Sequence, residues 1–168
     1  MDKNVREKSI SQQRIEKFMG LIGTASQKVP NSPIMPDASI RELRAKLILE
    51  ECLETVRDLG FAPMLNYGEM NGRRFLSKED IVLVQTGKES LVGIADGCAD
   101  IAVVTTGTLS ACGLSDVSIQ ECVDNNNLEK FGPGHSFRED GKLIKPPGHK
   151  PPDLDAVIKA QTEASKDQ

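Results

Sequence analysis

Residues 43–54 read LRAKLILEECLE, and residues 93–104 read GIADGCADIAVV. In both stretches apolar residues recur at the spacing of an amphipathic helix. Carboxylates continue the apolar stripe, however, where a surface helix normally keeps its charges on the opposite side. Projected at about 100° per residue, the glutamates of the first stretch share one arc with Leu43 and Leu47. We therefore predict an all-α fold built around two apolar helices that carry acids on their packed faces.

The acids are spaced so that they can act together. Glu50 and Glu54 are four residues apart, as are Asp96 and Asp100, so each pair projects from one side of its helix. A carboxylate that faces a core takes up a proton, meets a cation or binds a metal. A glutamate run alone is most often a solvated face, but the aspartate pair has no compensating base around it. Oxygen ligands suit Mg²⁺ or Mn²⁺, and a water activated there would fit phosphoanhydride hydrolysis.

Composition limits the classes of partner. The 168 residues include one Tyr, five Phe and no Trp, and the net charge is −4, which argues against a general binder of nucleic acid. We expect no stretch that is apolar for long enough to span a membrane, and no signal peptide at the start of the chain. Four widely spaced cysteines favour buried free thiols in a reducing compartment. We expect a cytoplasmic protein that binds neither nucleic acid nor membrane.

The order of elements is predicted from spacing and from turn residues. Helices are expected over about 5–27, from Ser39 with a capping box to Gly60, over about 88–112 and over about 115–130. Glycines within the third helix lower its stability, and this cost would be tolerable if another backbone came close to them. They are Gly93, Gly97 and Gly107. The second helix also has a second apolar arc, which predicts packing on two sides.

The remaining segments complete a single domain over 1–168, with its core at about 37–131. Residues 61–88 are expected to form an inserted hairpin or loop. Its turn formers are Asn66, Gly68, Asn71 and Gly72. The tail over 132–168 is expected to be extended, with a hairpin at 139–142 and a short helix after Asp153 as an alternative.

The acidic motifs resemble those of a known family. Glu50-Glu51-x-x-Glu54 followed by Ala95-Asp96-Gly97-Cys98-Ala99-Asp100 is similar to the signature of the all-α nucleoside triphosphate pyrophosphohydrolases, the MazG-like and phosphoribosyl-ATP pyrophosphohydrolase-like group. Residues 123–131 resemble the Asn-(Met/Leu)-x-Lys segment of that family. Residues 140–147 resemble the lysine-bearing tail of viral and bacterial members. The resemblance covers about residues 39 to 154.

The resemblance implies a fold, a reaction and a set of site residues. The fold is a four-helix MazG-like bundle assembled as a homodimer or homotetramer. The reaction splits a (deoxy)nucleoside triphosphate into a monophosphate and pyrophosphate, using Mg²⁺ or Mn²⁺. The implied metal ligands are Glu50, Glu51, Glu54, Asp96 and Asp100, with Glu50 or Glu51 in the catalytic role. The implied substrate contacts are Asn127, Lys130, Lys142 and Lys145.

One position departs from the family pattern, and several readings stay open. Gly97 stands where the family has the Glu of Glu-x-x-Asp, and we expect Asp96 to substitute for it. Similarity to viral members implies a purine such as dGTP, with dUTP, dCTP and damaged nucleotides as alternatives. A phosphoribosyl-ATP pyrophosphohydrolase is the alternative enzyme. The alternative from another class is a non-catalytic helical dimerisation module that binds a structural cation.

Overall fold

A computed structural model of the protein describes residues 4–24, 27–65, 76–139 and 141–166. Within these residues the fold is largely helical, but two small antiparallel sheets mean that it is not all-α as predicted. The helices are α1 (Ile10–Ile22), α2 (Ala38–Asp58), α3 (Leu91–Ala111), α4 (Asp116–Glu129) and α5 (Leu154–Ala164). The strands are β1 (Phe61–Leu65), β2 (Ile81–Gln85), β3 (Ser136–Phe137) and β4 (Leu143–Ile144), and a 3₁₀ turn spans Lys78–Asp80.

The chain divides into two compact units. The central unit is Ala38–Thr105, and the terminal unit combines Met1–Asp37 with Thr106–Gln168. The boundary falls inside α3, after Thr105. The single domain over residues 1–168 stays a prediction.

The central unit contains α2, the first sheet and most of α3. Gly60 ends the α2 segment in the left-handed region, with φ 87°, as its position after the last helical turn predicted. β1 and β2 then pair antiparallel, from Phe61 opposite Gln85 to Leu65 opposite Ile81. The inserted hairpin predicted within 61–88 is therefore confirmed, although its expected turn formers lie outside the described residues.

In the terminal unit, two fully buried glutamines join helices that are far apart in sequence. Gln12 of α1 donates to the Ser110 hydroxyl and to the Leu114 carbonyl. Gln161 of α5 accepts from the Ser115 backbone N–H and donates to the Ser115 carbonyl. These bonds satisfy polar groups that burial would otherwise leave unpaired. They attach α1 and α5 to the start of α4.

The C-terminal tail is only partly extended. β3 and β4 pair, and Gly141 has φ 79°, which confirms the predicted hairpin; its residue Asp140 lies outside the described residues. The prediction of an extended tail is wrong over residues 154–164, because they form α5. The Asp153 carboxylate accepts from the Ala156 backbone N–H and caps this helix, so the alternative reading was the correct one there.

Two helix starts differ from the sequence reading. α1 begins at Ile10 because the Ser9 hydroxyl caps it, so it is shorter than expected at both ends. The capping box predicted at Ser39 is wrong, since Ser39 lies inside α2. The second apolar arc of α2 is only partly covered: Ile48 and Val56 are half-buried, whereas Leu49 remains 62% exposed.

α3 is long and more apolar than predicted. Its length and composition are those of a helix that could cross a membrane, which contradicts the expectation that no stretch is long enough. A core helix of a soluble protein passes the same test. All four cysteines are free, as expected, but the expectation that they are buried is wrong. Cys98 on α3 is exposed, and the other three are half-buried.

Candidate functional site

Two glycines bring α3 against α2 in the central unit. A Cβ atom added at Gly97 would meet the Thr55 side chain and would lie 3.2 Å from the Thr55 Cα. A Cβ atom added at Gly93 would collide with the Asp58 carboxylate. The pairing of Thr55 with Gly97 and of Asp58 with Gly93 means that the two helices run antiparallel. The expected close approach of another backbone is thus confirmed at Gly97.

The same antiparallel pairing continues into the carboxylates. One turn before Thr55, Glu51 faces the part of α3 that carries Asp100, one turn beyond Gly97. Partial burial raises the pKa of the Glu51 carboxyl above its ordinary value, and four neighbouring acids raise it further. In decreasing order of effect these acids are Asp100, Glu54, Glu50 and Asp96. The structure therefore brings the other four predicted metal ligands within electrostatic range of the Glu51 side chain.

These acids also lack a basic partner in the part of the chain that the structure describes. Among the described residues, none of the five carboxylates has a lysine or arginine within ion-pair distance. Glu42, earlier on α2, shows the contrast: Lys46 lies 2.6 Å away and holds the pKa of the Glu42 carboxyl below its ordinary value. The prediction that the five acids lie on packed faces is correct only in part, because Glu51 is half-buried whereas the other four carboxylates are exposed to solvent.

The five carboxylates have the donor atoms of a site for a hard cation, but they do not converge on one point. In the described part of the chain, no three His, Cys, Asp or Glu side chains converge closely enough to hold a metal ion. Every candidate donor is a carboxylate oxygen, which suits Mg²⁺ or Mn²⁺. A divalent cation would also relieve the repulsion at Glu51. The residues therefore fit the predicted metal in charge and donor type.

An open groove of about 780 Å³ lies beside these acids in the central unit. Its wall is mostly apolar and comes from α2, from the hairpin and from the segment before α3. The lining includes Leu49, Leu53, Phe61, Pro63 and Ile81, with Arg57, Asp58, Thr86 and Lys88 as polar members. A smaller pocket on α2 shares Leu49, Leu53 and Arg57 with the groove, and Glu50 and Glu54 line it as well. The groove and the acidic residues are therefore continuous along α2.

The predicted substrate contacts lie in the terminal unit. Lys130 caps the end of α4, and its ammonium group donates to the side-chain oxygen of Asn127. Lys142 and Lys145 are exposed on either side of β4. The structure thus brings Asn127 and Lys130 together, and the phosphate role of all four residues stays a prediction.

Sequence reasoning missed the residues that shape the site around the acids. Thr55 and Asp58 face the two glycines of α3, and the four-residue spacing of Gly93 and Gly97 was the signal for that contact. The groove has no comparable signal, because its lining runs from Leu49 to Lys88 and comes together only when β2 pairs with β1.

Comparison with known proteins adds no relative to this description. No protein-family model matches the chain, and no curated protein is significantly similar to it.

Proposed function

We propose that the protein is a MazG-like, metal-dependent pyrophosphohydrolase that converts a (deoxy)nucleoside triphosphate and water into the monophosphate and pyrophosphate. The observation that supports this most directly is the joint effect of four acids, from two antiparallel helices, on Glu51. Paired acids on facing helices in this order are also what the sequence resemblance rests on. None of these acids has an ion pair among the described residues, so a divalent cation would meet no competing lysine or arginine there.

Glu51 is our candidate for the residue that removes a proton from the attacking water. A carboxylate with a raised pKa is a stronger base than an ordinary one, which brings it closer to the strength that proton abstraction needs near neutral pH. Glu50, Glu54, Asp96 and Asp100 would hold Mg²⁺ or Mn²⁺, with Glu50 as the alternative base. When bound, the divalent cation would supply charge stabilisation for the phosphates and acidify the water.

Lysine side chains are proposed to neutralise the remaining charge of the triphosphate. A nucleoside triphosphate carries more negative charge than one or two divalent ions offset, so additional cations are needed. Lys130, Lys142 and Lys145 are the proposed contacts to phosphate oxygens, with Asn127 positioned by Lys130. Similarity to viral members favours dGTP as the substrate of a cytoplasmic enzyme of nucleotide-pool control.

Apolar surface supports the further proposal of a homodimer or homotetramer. Val104 is the one hydrophobic side chain that is buried among the described residues of the central unit. Leu91 and Val92 at the start of α3 are 83% and 81% exposed. On the hairpin, Met64 and Val82 are cross-strand partners that share an exposed face. Exposed apolar patches of this kind mark interaction surfaces, and a second copy of the chain is the proposed partner.

The deciding experiment is a panel of all canonical NTPs and dNTPs with Mg²⁺ or Mn²⁺, in which pyrophosphate, monophosphate and orthophosphate are measured separately. We expect pyrophosphate and monophosphate in equal amounts, and we expect Glu51→Gln to lose turnover while circular dichroism shows unchanged helix content. Release of orthophosphate would refute the cleavage position. Hydrolysis confined to phosphoribosyl-ATP, added as a further member of the panel, would favour the alternative enzyme.

The exposed apolar surface also fits the non-catalytic dimerisation module that binds a structural cation. That alternative predicts cation-dependent assembly without turnover of any nucleotide. Glu51→Gln would then lose assembly, and neither it nor the wild type would hydrolyse any nucleotide of the panel.

A further inference from the structure

The groove of the central unit differs from the other apolar surfaces of that unit because charged side chains are among its lining residues. Arg57, Asp58 and Lys88 line it together with the side chains of Phe61 and Leu53. Its volume of about 780 Å³ is in the range of small-molecule sites, which are mostly apolar with a few polar groups that fix orientation.

The charged members argue against a second copy of the chain as the occupant. The centres of subunit interfaces are depleted of charge, and burying Arg57, Asp58 or Lys88 without partners would be costly. Met64 and Val82 lie on the other face of the hairpin and carry no charge, so that face suits subunit contact better. The groove suits a small ligand that is part apolar and part polar.

The groove lies next to the glutamates of α2, which indicates where the rest of that ligand would bind. Projected at about 100° per residue, Glu50 and Glu54 fall between the stripe of Leu49 and Leu53 and the side that faces α3. Each glutamate is also the chain neighbour of a groove residue, about 3.8 Å away between Cα atoms. A ligand in the groove would therefore extend directly toward the carboxylates.

We propose that this groove binds the base and sugar of the nucleotide whose phosphates meet the acids of α2 and α3. The proposal rests on the proposed function. Phe61 supplies an aromatic surface on which a base stacks, and Leu49 and Leu53 cover apolar edges. Arg57 and Lys88 donate hydrogen bonds to acceptors on the base or sugar, and Asp58 accepts from donors. The inserted hairpin thereby becomes the part of the chain that selects the nucleoside.

Binding is tested without relying on turnover. The chain contains no Trp, so Phe61→Trp introduces one fluorophore into the groove. Leu59→Trp is the matched control, because Leu59 is exposed near the end of α2 and does not line the groove. We expect dGTP and deoxyguanosine to quench Phe61→Trp and to leave Leu59→Trp unchanged. Inorganic tripolyphosphate should quench neither variant, because it lacks the base.

Kinetics provide the second test. Phe61→Ala should raise KM for the substrate found in the panel about 5- to 150-fold, the range expected for loss of one base-stacking contact. Leu49→Ala covers the case in which Phe61→Ala fails to fold, because Leu49 is largely exposed and its truncation removes little packing. Inhibition by tripolyphosphate should be unchanged in both variants, and KM should be unchanged in Leu59→Ala.

The outcomes separate this proposal from the proposed function. Nucleoside quenching of Phe61→Trp without hydrolysis of any nucleotide would support the groove and refute the enzyme. Hydrolysis with an unchanged KM in both groove variants, and no quenching, would refute the groove alone. A change of oligomeric state in Phe61→Ala and Leu49→Ala, with KM unchanged, would assign the groove to a second copy of the chain and overturn the proposal.

Discussion

Thr55 of α2 occupies the space that a side chain at Gly97 of α3 would need. This contact explains why the position that carries a glutamate in the resembled motif is a glycine in this chain. A larger residue would push the two helices apart, and Glu51 would then lie farther from Asp100. The acid that could replace the missing glutamate is Asp96, one residue earlier, which already contributes to the raised pKa of Glu51.

Gly97→Ala is expected to destabilise the protein despite the higher helix propensity of alanine. The added methyl group would overlap Thr55, and overpacking of this kind costs about 1–3 kcal/mol. Gly20→Ala is the matched control, because Gly20 lies in α1 with nothing within 4 Å of an added Cβ. It should stabilise by up to about 1 kcal/mol. Thermal unfolding followed by circular dichroism measures both, and equal shifts would contradict the close contact.

Glu51→Gln should stabilise the protein at pH 7 in the absence of divalent cations. The raised pKa means that the folded state releases the Glu51 proton less readily than the unfolded chain does. The associated stability is present below about pH 4.5 and is lost as pH rises through the higher pKa of the folded state. The variant should therefore melt above the wild type at pH 7, and its advantage should disappear near pH 4.

Glu42→Gln supplies a control of opposite sign on the same helix. Lys46 lowers the pKa of Glu42, so the folded state favours its ionised form. Removing that charge should lower the melting temperature slightly, or leave it unchanged, at pH 7. If Glu42→Gln and Glu51→Gln shift the melting temperature alike, the repulsion among the acids is not the cause.

The sequence contained enough local information for most of the helices and for the hairpin. The apolar spacing of α2 and α3 is a property of neighbouring residues, and Gly60 and Gly113 end them in the left-handed conformation that only glycine adopts at low cost. The acidic pairs could be predicted for the same reason, since residues four apart share a helix face.

Contacts between distant residues could not be read in the same way. Gln161 looks like an ordinary surface residue, and its burial depends on Ser115, 46 residues earlier. The prolines before Asp153 favoured an extended tail and outweighed the capping signal of that aspartate. The groove needs the hairpin to fold back on α2, which no local spacing predicts.

Divalent cations should reverse the effect of the acids on stability. We expect Mn²⁺ to raise the melting temperature of the wild type. At a free Mn²⁺ concentration one hundred times the dissociation constant, the free energy of unfolding should increase by about 2.7 kcal/mol. Asp100→Asn should lose most of this gain, and its Mn²⁺ affinity should fall at least about tenfold. Titration calorimetry measures the affinity, with Glu42→Gln as a control that should bind like the wild type. Equal affinities for wild type and Asp100→Asn would exclude Asp100 as a ligand.

Gln161→Ala should release α5 from the terminal unit. The substitution removes the acceptor for the Ser115 N–H and the donor to its carbonyl, so both backbone groups lose buried partners. Loss of buried hydrogen bonds costs about 1–3 kcal/mol each. Limited proteolysis should cut the variant between β4 and α5 much faster than the wild type. Gln13→Ala, at an exposed glutamine, should be cut at the wild-type rate.

Leu91→Glu combined with Val92→Glu should reduce the assembly to a smaller species without unfolding α3. Both side chains are almost fully exposed in the single chain, so their replacement removes little internal packing. Glutamate in the first turn of a helix also interacts favourably with the helix dipole. A loss of assembly would therefore come from the introduced charge at the subunit surface, where unpaired carboxylates oppose apolar contact. Analytical ultracentrifugation measures the mass, and circular dichroism checks the helix. A wild type that sediments as a monomer would remove the basis for subunit contact at this surface.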